Sequence, residues 1–462
     1  MALIKSISGF RGTIGGRANE GLTPIDTVKF AAAFATFIKE SYNKDRIRIV
    51  LGRDARLSGR MVSDLVTGTL IGMGVEVIDT GLSTTPTVEV AVTDKKADAG
   101  IILTASHNPI NWNALKFLNA KGEFISAEEG KRVLELAASE DFDFVTVDKL
   151  GHCISDDSTV DNHIRKVLEL ELVDTDAIRK ANFRVAFDSV CSTGGFVLKK
   201  LLKELGVAHV VALNDEPTGV FPHNPEPLPE NITQICNEVV DSKCDVGFVV
   251  DPDVDRLAIV CENGKPFVEE YTLVSIADYV LKHTPGTTVS NMSSTRALKD
   301  VTEAAGENYF ASAVGEVNVV EMMKKHKAVI GGEGNGGVIY PALHYGRDAL
   351  VGIALFLSLL AKSGMKCSEL RATYPEYVIS KNKMELTKDM DVDGILAQMA
   401  QKYKDYEVST VDGVKIMFDK QWVHLRKSNT EPIIRIYSES STMEKAEKLA
   451  KSIMEDIRSL AR

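Results

Sequence analysis

Three aspartates alternate in Asp251-Pro252-Asp253-Val254-Asp255-Arg256, directly after the apolar run Val246–Val250. Carboxylates this close repel one another unless a cation lies among them. Hard divalent cations take such oxygen donors, and Mg²⁺ in particular pairs a few carboxylates with a phosphate oxygen. Asp251, Asp253, Asp255 and Glu262 also fall at EF-hand ligand positions. Arg256, however, stands where that loop needs glycine, and a strand precedes it, so the EF-hand reading fails. A second reactive stretch is Thr104-Ala105-Ser106-His107-Asn108-Pro109, after the apolar run Ala99–Leu103. Its Asn-Pro stiffens the turn, which holds the Ser106 hydroxyl at a strand end, where open α/β sheets place their chemistry. The pattern is not the G-x-S-x-G elbow of hydrolases. His107, beside the serine, either orients the loop or exchanges protons.

Two further loops carry binding chemistry. Gly332-Glu333-Gly334-Asn335-Gly336-Gly337 is neither a dinucleotide fingerprint nor a Walker loop. Its acceptor, Glu333, and its amide, Asn335, suit neighbouring sugar hydroxyls. Arg426-Lys427-Ser428-Asn429-Thr430-Glu431-Pro432 offers a planar cation, two hydroxyls and an amide, which together form a phosphate-binding set. Arg11, Arg53, Lys116 and Arg256 are additional cations in loops of this kind, with Arg11 on the flexible turn Gly9-Phe10-Arg11-Gly12.

The elements that position these loops recur. The strand Ile47–Leu51, a polar turn, the helix Met61–Met73 and the exit Gly74-Val75 form one unit. Phe183–Phe187 with Phe196–Leu205 repeats it, and Thr287–Ser290 with Arg296–Ala305 is a weaker third copy. Each copy is followed by a short strand ending in one of the first three loops. From about Ala372 the pattern changes to short strands closed by the helix Met443–Leu460. The reading is therefore α/β: three similar α/β domains with mixed sheets plus a C-terminal α+β domain around a central cleft. The expected domains are 1–152, 153–262, 263–372 and 373–462. Thr23-Pro24 with Asp26 predicts a helix start.

A chain of 462 residues is too long for a single core. Its net charge of −11 argues against nucleic acid or an anionic membrane as partner. The longest apolar run, Ala349–Ala361, is shorter than the ~18 residues that span a bilayer and reads as a buried helix. Met1–Phe10 has no apolar signal core, which predicts a cytoplasmic protein. Six scattered cysteines suggest reduced thiols rather than a disulfide frame or a zinc site.

Taken together and in order, the four loops resemble those of the α-D-phosphohexomutase family over essentially the whole chain. The resemblance implies a phosphoserine at Ser106, with Mg²⁺ on Asp251, Asp253 and Asp255 and on the group carried by Ser106. It implies sugar recognition by Glu333 and Asn335. It further implies that Arg426, Ser428, Asn429 and Thr430 hold the non-reacting phosphate, and that Arg11, Lys116 and Arg256 surround the transferring group beside His107. The implied partner is a phosphorylated hexose or hexosamine, with a hexose 1,6-bisphosphate as intermediate and activator, in a monomer or homodimer. Asn335 replaces the serine common in the sugar loop, and Gly337 replaces a histidine of many bacterial members. Gly-Glu-Gly-Asn-Gly-Gly is similar to the loop of archaeal-type phosphoglucosamine mutases, which favours an amino sugar. Lys116 is expected to transfer protons, its pKa lowered by neighbouring cations. The rival readings are phosphomannomutase or phosphoglucomutase specificity, a metal-dependent sugar phosphatase and a non-catalytic sugar-phosphate sensor.

Overall fold

The computed structural model describes residues 2–6, 9–385, 391–427 and 433–460. They fall into two compact units, Met1–Thr272 with Gly336–Leu370 and Leu273–Asn335 with Arg371–Arg462.

The first unit opens on a seven-stranded sheet. Its order is Leu3–Ser6, Gly9–Thr13, Trp112–Leu118, Ala99–Leu103, Arg48–Arg53, Glu76–Leu82 and His152–Ser155. The last four strands run parallel, while Trp112–Leu118 is antiparallel to both its neighbours, so the sheet is mixed. Ala99–Leu103 is buried at all five positions, as its unbroken apolar pattern requires of a central strand. The helix Pro24–Tyr42 starts where its sequence says it should. The Thr23 hydroxyl accepts from the Asp26 amide and the Asp26 carboxylate from the Thr23 amide, a reciprocal capping box. Its apolar face reaches the sheet through stacked rings, with Phe10 and Phe30 centroids 3.8 Å apart and those of Phe34 and Phe117 4.1 Å apart. Such pairs add about 0.5–1.5 kcal/mol each to plain burial.

Gly9-Phe10-Arg11-Gly12 differs from expectation. It is the strand Gly9–Thr13 rather than a flexible turn. Gly9 has φ +147°, and a side chain there would meet the Leu115 carbonyl at 2.3 Å. The glycine marks a close approach between paired strands, not a bend.

A second mixed sheet of the same unit has the order Leu257–Cys261, Val246–Val250, Arg184–Asp188 and His209–Leu213. Only its first pair is antiparallel. The apolar run is the helix Ala349–Ser363, buried from Ala349 through Leu360, and among the described residues no helix is long and apolar enough to cross a membrane. Asp348 caps this helix through its Oδ1, which accepts from the Leu350 amide at 2.8 Å. Its Oδ2 meets His163 Nε2 at 2.8 Å and His344 Nε2 at 3.1 Å, and the other face of His344 lies 3.3 Å from Glu89. Burial alone would depress the His344 pKa, but the hydrogen bonds to Asp348 and Glu89 outweigh it and raise the pKa to about 10.

That charge has a testable sign. The unfolded chain keeps the ordinary histidine value, about 6.5. The stabilisation is therefore complete below about pH 6.5, fades as pH rises and is gone above about pH 10. The urea midpoint of the native chain should fall over this window more steeply than that of His344→Gln. Parallel profiles would show that the imidazolium contributes nothing.

The second unit contains the parallel strands Tyr309–Ser312, Thr288–Asn291 and Ile330–Glu333. It also holds an antiparallel sheet ordered Val378–Glu385, Ile433–Ser440, Trp422–Lys427, Val414–Met417 and Glu407–Ser409. The helices Val392–Lys402 and Met443–Leu460 supply Ile395, Met399, Ile453 and Ile457 to the core over that sheet. This is the expected α+β closure. Polar contacts tie the two sheets of this unit together: Lys415 Nζ donates to the buried Met292 carbonyl at 2.7 Å, and His424 Nδ1 lies 2.9 Å from Ser293 Oγ.

Candidate active site

Within the first unit the serine loop meets the aspartate loop. Ser106 follows the buried strand Ala99–Leu103, takes φ +49° and is 6% exposed. Its Oγ donates to Asp251 Oδ2 at 2.7 Å and lies 3.3 Å from His107 Nδ1. The parallel register of Val246–Val250 with Arg184–Asp188 carries the aspartates to the end of the second sheet. Asp251, Asp253 and Asp255 are completely buried, and their carboxylates can offer oxygens within 4.8 Å of one another.

The donor set fits a hard divalent cation. Burial and the Asp255 and Asp253 charges push the Asp251 pKa well up, outweighing the Arg256 charge, as expected of crowded, desolvated carboxylates. Asp253 Oδ1 and Asp255 Oδ1 are buried with no hydrogen-bond partner among the described residues. An orphaned buried carboxylate oxygen is costly unless something binds it.

Lys116, Arg256 and Arg347 are already engaged with carboxylates. Lys116 lies on the strand Trp112–Leu118 rather than in a loop, and its Nζ donates to Asp253 Oδ2 at 2.8 Å. The expected lowering of its pKa is reversed. Burial does lower it, but Asp253 and Asp255 outweigh burial and the nearby Arg347, and the net direction is up. Asp253 responds in kind: burial would raise its pKa, but Lys116 and the Thr85 hydroxyl, donating at 2.7 Å, hold it below the usual carboxylate range. Arg11 pairs with Ala114 and so shares a sheet face with Lys116. Arg256 reaches Glu226 at 3.2 Å, with Asp255 at 4.0 Å. Burial and the Arg256 charge push the His107 pKa down to about 2. A neutral, weakly basic imidazole suits loop orientation better than proton exchange.

Two arginines in this site escaped the sequence reading. Arg347 Nη2 donates to Asp255 Oδ2 at 2.6 Å. Arg56 is 1% exposed and lies beneath the serine loop. Neither belongs to a recognisable motif.

In the second unit Glu333 ends the strand Ile330–Glu333 and is 4% exposed. Its Oε1 accepts from Asn291 Nδ2 at 2.8 Å and from the Gly315 amide at 3.1 Å, and Asn335 Nδ2 lies 3.5 Å from Oε2. Arg426 sits on the strand Trp422–Lys427 and pairs with Asp412 at 2.9 Å. Ser428, Asn429 and Thr430 lie outside the described residues.

Models of the phosphoglucomutase/phosphomannomutase family match in sequence order. The alpha/beta/alpha domains I, II and III cover residues 5–144, 161–264 and 269–377, and the C-terminal domain covers 381–456. The chain belongs to this family. As a member of the phosphoglucomutase/phosphomannomutase family it is a phosphohexomutase, an isomerase built from three α/β domains and a C-terminal domain. It is 37% identical over 440 residues to "Phosphoglucomutase/phosphomannomutase" of Thermococcus kodakarensis, covering 94% of this chain and 95% of that one. It is 30% identical over 456 residues to "Probable phosphoglucosamine mutase" of Methanopyrus kandleri, covering 98% and 97%. A phosphoglucomutase/phosphomannomutase family protein from Burkholderia thailandensis shares the fold, with a TM-score of 0.84 at 22% identity over 99% of this chain and 98% of that one.

Proposed function

We propose that this phosphohexomutase interconverts glucosamine 6-phosphate and glucosamine 1-phosphate through a phosphoserine at Ser106. The observation that carries the reading is the Ser106 hydroxyl, 2.7 Å from Asp251 in a buried aspartate triad bordered by Lys116 and Arg347. A sugar hydroxyl attacks the phosphorus on Ser106; its bond to Oγ breaks as the bond to the sugar oxygen forms, and the hydroxyl proton leaves to a base. The product is a hexosamine 1,6-bisphosphate, which also serves as activator. After it turns over, its other phosphoryl group returns to Ser106 Oγ. Asp251, Asp253 and Asp255 would hold Mg²⁺, which when bound supplies positive charge to the transferring phosphoryl oxygens. Phosphoryl transfer is mostly positioning and charge stabilisation, and the buried cations around the triad supply both.

Lys116 is the group assigned to the reacting hydroxyl, with Arg11 on the same sheet face. Lys116→Met should lower kcat by about 10²–10³-fold, the range of one general acid–base or electrostatic contact, with a small change in KM. A change confined to KM would make Lys116 a binding residue.

Glu333 and Asn335 are assigned to the sugar, and Arg426, Ser428, Asn429 and Thr430 to the non-reacting phosphate. Asn291 and Gly315 anchor Glu333 through Oε1 and so orient the carboxylate. A charge-assisted hydrogen bond is worth about 1.5–3 kcal/mol, which ranks substrates roughly tenfold to a hundredfold without excluding any. Coupled assays on glucosamine, glucose and mannose phosphates, with bisphosphate and Mg²⁺ present, should give the highest kcat/KM for glucosamine phosphate. A tenfold lead for either other sugar would establish the second reading, phosphomannomutase/phosphoglucomutase, which the name of the 37%-identical relative favours. Release of inorganic phosphate at the rate of isomerisation would mark a phosphatase instead.

A further inference from the structure

The guanidinium of Arg56 is saturated, and nearly everything it touches is the backbone of the serine loop. Nη2 donates to the carbonyls of Ser106 and of Asn108, the latter at 2.8 Å. Nη1 donates to those of Pro109 at 2.8 Å and Trp112 at 3.0 Å. Nε, the fifth donor, goes to Asp54 Oδ2 at 2.9 Å. Arginine has five N–H donors in a rigid fork, and here none is left for a ligand. Phe221 lies under the guanidinium, 5.1 Å from its ring centroid.

A second path grips the same loop from the other side. The Thr104 hydroxyl donates to Asp54 Oδ2 at 2.7 Å and accepts from the Ser106 amide at 2.9 Å. Asp54 is completely buried, and its Oδ1 takes the Arg56 amide at 3.0 Å. Ser106 is thus fixed at both its N–H and its C=O. That restraint has a purpose, because Ser106 holds a left-handed conformation, φ +49°, which is unfavourable for a non-glycine residue and persists only where surroundings over-determine it. Four carbonyls converging on one cation from Ser106 to Trp112 supply that over-determination.

We propose that Arg56 is a positioning residue for phosphoryl transfer, fixing the serine loop through its carbonyls with Asp54 and Thr104 so that Ser106 Oγ points at the aspartate triad. The inference rests on Ser106 as phosphoryl carrier. Arg56 itself touches no substrate. Lysine cannot replace it, because one ammonium has three donors and no fork. A misplacement of about 1 Å costs on the order of 10²-fold in rate. The loss should therefore appear in transfer to and from Ser106 and leave sugar binding alone.

The test measures kcat, KM and phosphoserine occupancy for Arg56→Lys, Arg56→Ala and Thr104→Val, with circular dichroism as the folding control and Ser106→Ala beside them. Arg56→Lys should lose about 10²-fold in kcat, with KM within about threefold and slow phosphorylation of Ser106 by added glucose 1,6-bisphosphate. Adding guanidinium ion at non-denaturing concentration to Arg56→Ala should restore at least tenfold of its lost kcat, which a general loss of stability would not allow. Thr104→Val, lacking a single hydroxyl, should lose about tenfold in kcat and keeps the test open if the arginine variants do not fold. Arg56→Lys or Thr104→Val at native kcat while Ser106→Ala is inactive would overturn the proposal alone. An effect confined to KM would do the same. An active Ser106→Ala would instead remove the phosphoserine reading on which it rests.

Discussion

Ser106→Ala should remove nearly all isomerisation, by at least about four orders of magnitude, and with it the phosphate adduct on the intact protein. Without Oγ no covalent intermediate forms, and a direct shift of phosphate between two sugar oxygens falls back toward the uncatalysed reaction. Cleavage of phosphate monoesters is slow enough that enzymes supply up to ~10²¹-fold, so no bypass hides the loss. The fold should survive. Ser106 gives one side-chain hydrogen bond to Asp251, worth about 1–3 kcal/mol net, and losing it leaves a carboxylate that still accepts the Asp255 and Arg256 amides at 3.2 Å. Substrate should still bind, because the assigned sugar and phosphate contacts come from Glu333, Asn335 and the Arg426 loop. An alanine variant with native turnover, or an adduct that persists without Ser106, would place the carrier elsewhere.

Asp251→Asn should separate stability from activity, with opposite signs. In the metal-free protein, Asp251 carries a pKa raised by burial and by two neighbouring carboxylates; its charge is a liability there. Asparagine can keep its one oxygen on the Asp255 and Arg256 amides and donate from its Nδ2 to Ser106 Oγ, and it removes the repulsion, so metal-free Tm should hold or rise. The same change should cut kcat by about 10²–10³-fold, the scale of one electrostatic contact to the transition state, and abolish the response to Mg²⁺. A cation bound at 100 times its Kd stabilises the native chain by about 2.7 kcal/mol, a rise in Tm that native protein should show and Asp251→Asn should lack. Exhaustive chelation should silence the native enzyme, and Mg²⁺ should restore it. Full activity after chelation, or an equal Mg²⁺ shift in both proteins, would contradict a metal on the triad.

Much of this was legible locally. Ala99–Leu103 and Val246–Val250 are strands at the residues their apolar runs mark, since a central strand must be apolar on both faces. Thr23-Pro24 with Asp26 starts a helix because capping is settled within four residues. The ordered loops that carry the family resemblance lie next to such elements, so the type and position of Ser106, of the three aspartates and of Glu333 could be read from sequence neighbours alone.

Whatever needed a distant partner could not. Ser106 and Asp251 are 145 residues apart, Arg347 and Asp255 92 apart, and Arg56 and Ser106 50 apart. Arg56 in a polar turn looks like any solvated cation until the fold brings four carbonyls onto its donors. Lys116 was expected among cations that lower its pKa, whereas packing places it on Asp253, and the sign reverses. Gly9 and Gly12 suggested a bend, yet Gly9 serves the close approach of two strands. The sequence by itself determined the elements, the order of the loops and the residue types in them, because these follow from short-range patterning. Only the tertiary structure decided which charges face one another and which carbonyls one buried arginine ties together, because burial and electrostatics act between groups that the chain keeps far apart.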